Sequence, residues 1–415
     1  MVDGHDVFRE LGYLQQALSQ NRKPLGFMIS AGCPLSIRVN LKDEVGEDGE
    51  TWTRSDPLIQ DIAGLTREIG DNIIAKKDKN SIVWDKVIAS FKEDGVENPN
   101  IEGILSFVRG LRGVAGKGEV RGLTCTELEG LELRICEIIS EEVDRELPDA
   151  NSPYHNLAIW VRSIPRESPV HLFTTNYDLL AEQALEEEGA PYFDGFIGSR
   201  KAFFDLAAVE DEKLMPSRWT RLWKMHGSIN WRLEDNGSVT RGLQSEKNKN
   251  YLIYPSHLKY DESRKMPFLA MMDRFKDFIL QQSSILFMSG YSFGDEHINN
   301  LLLEALRSNP TAMVYGLLHG NMMDETGKPD IKYQKARELA LKTPNLALFS
   351  SDVGIISRRE KPWIAHDEGQ GSLPVGMVKE PKTKTSDFCE CKIGDFLVFT
   401  DMLKNISGPR NSDVE

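Results

Sequence analysis

Six short apolar runs recur along the chain, and stretches with helical periodicity separate most of them. The runs are "LGFMIS" (25–30), "PVHLFTT" (169–175), "RLWKMHG" (221–227), "SILFMSG" (284–290), "AMVYGLL" (312–318) and "NLALFS" (345–350). Runs of this kind are typical of strands that are buried on both faces. Their alternation with helices is typical of a parallel sheet covered by helices on both sides. The pattern therefore predicts an α/β protein built on a doubly wound parallel sheet.

The first two predicted strands are too far apart for a single crossover. Residues 81–164 between them show helical periodicity instead, which predicts a helical insertion. We expect a Rossmann-like domain built from residues 1–80 and 165–355, followed by a C-terminal extension at 356–415.

The extension begins with a Gly-, Pro- and Lys-rich linker at 367–387 and continues with the apolar segment "CKIGDFLVFTDML". Two interpretations of this segment stay open at this point. It either docks on a neighbouring protein or folds back on its own domain.

Charge and cysteine usage restrict the possible function classes. The net charge of −14 argues against a nucleic-acid or anionic-membrane surface, because both need a concentrated positive field. The five scattered cysteines provide neither a disulfide framework nor a four-cysteine zinc site. No apolar run approaches the roughly 18 residues that a membrane span needs. We therefore expect a cytoplasmic protein with no metal site, no membrane contact and no direct contact with nucleic acid.

Four successive predicted strands end in small or polar residues, and ligands of doubly wound sheets bind beyond such carboxyl ends. In chain order, these ends carry Ser30, Ala31, Gly32 and Cys33; Thr174, Thr175, Asn176 and Asp178; His226; and Gly290, Tyr291, Ser292 and Asp295. Each set alone has an ordinary explanation as a tight turn, a helix cap or a structural histidine. Their coincidence at one edge of the sheet predicts a ligand site.

The residue types at these ends suit a dinucleotide and acid–base chemistry. Small residues let a backbone approach a diphosphate closely, although neither G-x-G-x-x-G nor a P-loop is present. Asn176 can both donate and accept hydrogen bonds, and Asp178 can cap the helix that it precedes. His226 can take up a proton near neutral pH.

The segments "AGC", "TTNYD", "HGS" and "GYSFGDEHI", in this order, resemble the sirtuin-like proteins of bacterial antiviral defence that hydrolyse NAD+. Sirtuins proper show a Gly-Ala-Gly turn, a Thr-Gln-Asn-Ile-Asp stretch and a His-Gly pair in the same order. The resemblance covers scattered blocks of residues 20–320. Within the group, the chain length and the "IGDFLVF" tail look most like the sirtuin-like partner of a HerA-type ATPase, the pair called Nezha.

The resemblance implies catalytic roles for three residues. Asn176 would orient the attacking water near the nicotinamide ribose, and Asp178 would contact the nicotinamide carboxamide. His226 would hydrogen-bond the ribose hydroxyls and act as base. The implied binding positions are Ser30, Ala31, Gly32 and Cys33 near the diphosphate, Gly290, Tyr291 and Ser292 near the adenosine, and Thr174, Thr175 and Asp295.

Two departures from sirtuins affect the expected activity. Ser30 replaces the first glycine of the turn, and no cysteine lies between His226 and Gly290 to build a zinc module. The second departure favours cleavage of NAD+ by water over protein deacylation, with NAD as substrate and no zinc.

We expect an NAD+ glycohydrolase that acts as the effector of an abortive anti-phage defence. Assembly into a homo-oligomer or with a HerA-type ATPase partner would control it. The alternatives are an NAD-dependent ADP-ribosyltransferase or deacylase, a non-catalytic nucleotide-sensing module of a defence complex, and a structural scaffold.

Overall fold

The structure is a computed structural model that describes most of the chain. The described residues are 3–45, 51–149, 152–164, 166–234, 236–242, 250–252, 266–365, 376–379 and 388–407.

The described residues form twelve α-helices. They are α1 (Val7–Ser19), α2 (Ile62–Lys76), α3 (Lys79–Glu93), α4 (Ile101–Ala115), α5 (Cys125–Val143), α6 (Pro153–Ser163), α7 (Leu180–Glu187), α8 (Leu206–Glu210), α9 (Phe268–Leu280), α10 (Glu296–Ser308), α11 (Gln334–Lys342) and α12 (Phe396–Ser407). Single 3₁₀ turns occur at Pro34–Ser36, Glu212–Leu214 and Ile331–Tyr333.

Ten of the 21 strands in the described residues belong to one large sheet, and the rest form small sheets and hairpins. They are β1 (His5–Asp6), β2 (Leu25–Ile29), β3 (Arg38–Val45), β4 (Thr51–Pro57), β5 (Glu119–Val120), β6 (Leu123–Thr124), β7 (Val170–Thr174), β8 (Tyr192–Phe193), β9 (Phe196–Ile197), β10 (Ala202–Phe204), β11 (Thr220–Lys224), β12 (Gly227–Leu233), β13 (Val239–Arg241), β14 (Asn250–Leu252), β15 (Ile285–Ser289), β16 (Met313–Leu317), β17 (Leu346–Phe349), β18 (Val353–Ile356), β19 (Arg359–Ile364), β20 (Val378–Lys379) and β21 (Glu390–Cys391).

The large sheet has ten strands in the order β1-β19-β18-β17-β16-β15-β2-β7-β11-β8. All of its pairs are parallel except β17 with β18 and β18 with β19, which are antiparallel. The six apolar runs form its centre, which confirms the predicted doubly wound α/β fold. Their carboxyl ends are in register, since Ile29 pairs with Thr174 on one side and with Ser289 on the other.

Helices cover both faces of the sheet because alternate residues of its strands point to opposite sides. On one face, Phe27 of β2 packs edge-on against Trp160 of α6 and stacks with Phe287 of β15. On the other face, Phe173 of β7 packs against Phe275 of α9. A strand whose side chains are apolar on both sides can pack against the helices on both faces of the sheet. This explains why the six runs do not alternate between apolar and polar residues.

The segment between β2 and β7 contains the helices α2 to α6. The helices α3 to α6 lie in the region for which periodicity predicts helix, whereas α2 precedes that region. The segment also contains the antiparallel hairpin of β3 and β4 and the short hairpin of β5 and β6. Neither hairpin is apparent from the sequence, because "RVNLKDEV" and "TWTRSDP" are too polar to show the alternation of a half-buried strand.

The apolar segment of the C-terminal extension folds back on its own chain. Phe399 of α12 packs against both Phe27 and Phe287 of the central strands, at ring-centroid distances of 6.1 and 5.7 Å. The Nδ2 of Asn156 on α6 donates to Oδ1 of Asp401 at 2.9 Å. The structure therefore decides between the two interpretations in favour of folding back. Most of the predicted linker at 367–387 lies outside the described residues.

Within the ranges that the structure describes, no helix is long and apolar enough to span a membrane.

We predict that Phe399→Ala lowers the free energy of unfolding by about 3–5 kcal/mol, because removal of the ring leaves a cavity where α12 packs on β2 and β15. Phe399 is 1% exposed. Leu397→Ala in the same helix is the matched control, since Leu397 is 40% exposed, and it should change stability by less than about 0.5 kcal/mol. Denaturant unfolding measures both. Equal effects of the two substitutions would mean that α12 is not part of the core.

Candidate functional site

The turn after β2 is packed directly against the turn after β15. The N–H of Gly32 donates to the carbonyl of Gly290 at 2.9 Å, and the N–H of Ser30 donates to that of Ser289 at 3.1 Å. A Cβ on Gly32 would lie 2.7 Å from the Cα of Gly290. Gly290 has φ +68°, and its Cβ would lie 2.6 Å from the backbone nitrogen of Cys33. Both positions therefore require glycine.

The side chains of Cys33 and Tyr291 are buried beneath these turns and bond to protein atoms. The Cys33 thiol donates to the carbonyl of Ser289 at 3.3 Å, and burial raises the pKa of this thiol to about 12. The Tyr291 hydroxyl donates to Asn299 Oδ1 at 3.0 Å and contacts the carbonyl of Asp295 at 3.2 Å. At these two predicted binding positions, the side chains hold the turns in shape. Ala31 and Ser292 are the exposed residues of the two turns.

The strand ends of β7 and β11 are joined by backbone hydrogen bonds. The N–H of Met225 donates to the carbonyl of Thr174 at 2.9 Å, and the N–H of Ile229 donates to that of Tyr177 at 3.0 Å. Asn176 and His226 lie inside this pair of bonds, one on each segment. The Thr174 hydroxyl accepts from the N–H of Asn176 at 3.0 Å, which fixes the turn, and Thr175 beside it is partly buried.

Asp178 is buried at the start of α7, above an ion pair that the sequence did not reveal. Its Oδ1 accepts from the N–H of Leu180 at 3.1 Å, as a cap does. The buried Lys224 Nζ binds Glu182 Oε1 at 2.8 Å and donates to the Asp178 carbonyl. Burial raises the pKa of the Asp178 carboxyl to about 6, and the charge of Lys224 opposes this rise. Near neutral pH, Asp178 is thus close to its titration point.

Tyr154 at the start of α6 reaches the same place from the helical insertion. Burial raises the pKa of its hydroxyl well above the ordinary value, and the charges of Asp178 and Cys33 add to the rise. The Asn176 amide is close enough to lower the pKa values of both Asp178 and Tyr154. However, Asn176 Nδ2 and the Tyr154 hydroxyl are buried without a hydrogen bond of normal geometry to any described residue. Tyr154 is not apparent as a site residue from the sequence, because "PYHNLAIW" has the pattern of the apolar face of a helix.

His226 is paired across the sheet edge with Asp295, which follows β15. Its Nε2 lies 3.4 Å from Asp295 Oδ2. The other oxygen of Asp295 caps α10 by accepting from His297 N at 3.0 Å and Ile298 N at 3.2 Å. Burial lowers the pKa of His297, and the nearby His226 lowers it further. A partly buried second histidine therefore lies beside the pair, and only its position two residues after Asp295 could have suggested it.

The four strand ends are connected into one site. Backbone contacts join the first end to the fourth and the second to the third, and His226 with Asp295 joins the third to the fourth. The Ser30 and Ser289 hydroxyls are buried at this edge without a partner among the described residues. The structure thus brings all the predicted residues to one edge of the sheet and assigns some of them to internal contacts.

No group of three or more metal-ligating side chains occurs in the described part of the chain.

Comparison with known proteins identifies the part of the chain that carries three of the four strand ends. Residues 170–342 match the family model of the SIR2-like domain. This segment is SIR2-like. It runs from the first residue of β7 to the end of α11 and includes Asn176, His226 and Asp295, but it covers less than half of the chain. No curated protein shows significant similarity to the chain.

Solved structures of Sir2 proteins resemble the chain at low identity. One is an ADP-ribose complex of a histidine variant of a Sir2 homologue, with 11% identity, TM-score 0.33, and coverage of 79% of this chain and 95% of that one. Another, described as the structural basis for the mechanism and regulation of Sir2 enzymes, has 13% identity, TM-score 0.32, and coverage of 80% and 95%.

We predict that Asp178→Asn becomes more stable relative to the unsubstituted protein as the pH rises from 4 to 7. The folded-state pKa of about 6 lies above the ordinary aspartate pKa of 3.8, so the contribution of Asp178 to stability is full below about pH 4 and is lost as pH rises through 6. The difference should approach about 3 kcal/mol by denaturant unfolding. Asp78→Asn, at the exposed cap of α3, is the matched control for replacing a capping aspartate. A pH-independent difference for Asp178→Asn would contradict the raised pKa.

Proposed function

We propose that the protein is an NAD+ glycohydrolase that acts in the cytoplasm. NAD+ and water would give nicotinamide, ADP-ribose and a proton, by cleavage of the bond between the nicotinamide nitrogen and the ribose carbon. The observation that carries this proposal is the adjacency of Asn176 and His226 inside the SIR2-like segment, at an edge closed by two glycine-dependent turns. An amide and an imidazole over one crevice are what positioning of water at a ribose requires.

The main requirement of this reaction is that the protein positions the ribose and the attacking water. Nicotinamide leaves as a neutral ring, so the leaving group needs no general acid, and positive charge builds on the ribose carbon. Asn176 offers a buried amide N–H that has no hydrogen bond of normal geometry to a described residue, and a water or ribose hydroxyl would complete it. His226 would take the proton from water or hydroxyl, and Asp295 at 3.4 Å would orient the imidazole and stabilise its charged form.

The remaining polar groups fit the binding of a dinucleotide. The buried Ser30 and Ser289 hydroxyls lie on paired strands at the edge and can donate to phosphate or ribose oxygens. The Gly32 N–H is already bound to Gly290, so this amide is not a free phosphate donor. Asp178, with a pKa near 6, can either donate to or accept from the nicotinamide carboxamide.

We predict that Asn176→Ala and His226→Ala each lower NAD+ cleavage by about 10²-fold or more, the typical weight of a positioned acid–base group. Purified protein is incubated with NAD+, and nicotinamide and ADP-ribose are separated by chromatography. Asn98→Ala, an exposed asparagine of the helical insertion, is the matched control and should retain full activity.

The products separate this proposal from its alternatives. Free ADP-ribose supports hydrolysis, whereas ADP-ribose attached to protein would indicate a transferase, and loss of acyl groups from a peptide would indicate a deacylase. Normal cleavage of NAD+ by Asn176→Ala would remove Asn176 from the catalytic role.

We further propose that the enzyme is the effector of an anti-phage defence and that a homo-oligomer or a HerA-type ATPase partner controls it. The resemblance of the four sequence segments to antiviral sirtuin-like proteins supports this role. The tail cannot supply the assembly surface through Phe399, because that side chain lies in the core. Deleting the tail would therefore unfold the core and would not test assembly.

We predict that cells making the protein together with a HerA-type ATPase partner resist phage and lose NAD+ on infection. Cells with Asn176→Ala or without the ATPase should do neither, because cleavage or its trigger is absent. Plaque counts and cellular NAD+ measure the outcome. Protection by Asn176→Ala equal to that of the unsubstituted protein would refute the effector role.

A further inference from the structure

A cavity of about 630 Å³ lies at the opposite edge of the sheet from the candidate site. Its lining includes Val170 and Thr220, the first residues of β7 and β11, together with the ends of α6 and the segments that precede these strands. The proposed NAD+ chemistry uses none of these residues. The volume falls within the range of ordinary small-molecule sites.

Three arginines line this cavity: Arg162, Arg166 and Arg218. None of the described residues that line it is acidic, although the chain as a whole carries a net charge of −14. A concentration of one sign of charge in a concave surface attracts ligands of the opposite sign. The cavity is therefore an anion-attracting feature on an acidic protein.

Arg166 has donors that the described residues leave unused. Its Nη2 donates to the carbonyl of Lys23 at 2.6 Å, whereas Nε and Nη1 are buried without a hydrogen-bond partner. Burial lowers the pKa of Arg166 to about 10, and no carboxylate offsets this effect. A buried cation with two open donors is costly unless an acceptor completes it.

The loop that carries Arg218 is held in place from below by Arg221 of β11. The Nη1 of Arg221 donates to the carbonyl of Trp219 at 2.7 Å and to that of Pro216 at 3.2 Å. Arg221 is 2% exposed, so this support is buried. The loop therefore forms one wall of the cavity, and Arg218 and Trp219 of this loop line the cavity.

The remaining walls suit a flat, uncharged group. Trp219 lines the cavity and is 38% exposed, and three prolines at positions 169, 191 and 216 line it as well. An aromatic ring that stays accessible in a pocket can stack on a planar base. Phosphate oxygens are the acceptors that the planar guanidinium fork binds best.

A second cavity of similar size lacks this combination. It has a volume of about 580 Å³ and lies beside α1. Its lining includes the acidic residue Glu10, which is paired with Arg9 at 3.1 Å, so it does not concentrate three arginines without an acid.

We propose that the cavity bounded by Arg162, Arg166, Arg218 and Trp219 is a second binding site, separate from the NAD+ site, for a phosphate-bearing nucleotide. The arginines would bind the phosphates and Trp219 would stack on the base.

Titration calorimetry on the full chain tests this site with three probes: ATP, inorganic pyrophosphate and adenosine. We expect ATP to bind more tightly than pyrophosphate, and adenosine to bind at least about 10-fold more weakly than ATP, because it lacks the charge that the arginines recognise. Equal affinity for adenosine and ATP would contradict the role of the arginines.

Substitutions locate the binding. Arg218→Gln should weaken ATP binding about 10-fold or more, and Arg166→Gln combined with Arg218→Gln about 100-fold or more, as expected for charge-assisted hydrogen bonds. Arg307→Gln removes an exposed arginine of α10 and is the charge-matched control, which should bind as the unsubstituted protein does.

Thermal unfolding without ligand verifies that each variant is folded, and Arg218→Gln alone suffices because Arg218 is exposed. Unchanged ATP binding by the double variant, or an equal loss with Arg307→Gln, overturns the proposal. Because binding is measured without NAD+ cleavage, this outcome is independent of the proposed hydrolase activity.

Discussion

The contact between Gly32 and Gly290 is the constraint on which the rest of the site depends. Two turns can touch backbone to backbone only if neither carries a Cβ, and a Cβ at either position would lie within 2.7 Å of main-chain atoms. This contact sets how closely β2 and β15 end together. Asp295, five residues beyond Gly290, can then reach His226 at the end of β11 across the ends of β2 and β7.

A buried ion pair is the second feature that determines the geometry of the site. The ion pair of Lys224 with Glu182 lies below Asp178, and Lys224 also bonds the Asp178 carbonyl. Burying such a pair is costly, so it contributes to geometry more clearly than to stability. Its effect here is to tie β11 to the first turn of α7. The carboxyl of Asp178 is thereby held in a low-dielectric position with a pKa near 6.

Much of the fold was predictable because strands that are buried on both faces leave continuous apolar runs. The sheet edge was predictable for the same reason, since the ends of parallel strands coincide. The contributions of Tyr154 and α12 were not, because periodicity shows which face of a helix is buried but not what it packs against. The pair of His226 with Asp295 joins residues nearly 70 positions apart, and no local pattern encodes such a contact. The polar hairpin of β3 and β4 was missed because it has no apolar alternation.

The predicted residues also differ in what the structure has them do. Cys33 and Tyr291 were expected to contact the ligand, and both are used to brace the turns. Small and polar residues at strand ends serve two purposes, closing a tight corner and facing a ligand. Sequence alone does not separate these purposes, because both favour the same residue types.

The packing of α12 has a consequence for how the protein is made. Tyr154, which lies near Asn176, contacts Phe396 of α12 at a ring-centroid distance of 5.4 Å. The apolar packing below Asn176 therefore includes a helix that is translated about 220 residues after Asn176. On the ribosome, the apolar surface that α12 covers in the folded protein stays exposed until this helix emerges. Ligand affinity and any chemistry at Asn176 should therefore arise only after that late event, which delays the appearance of a competent molecule during synthesis.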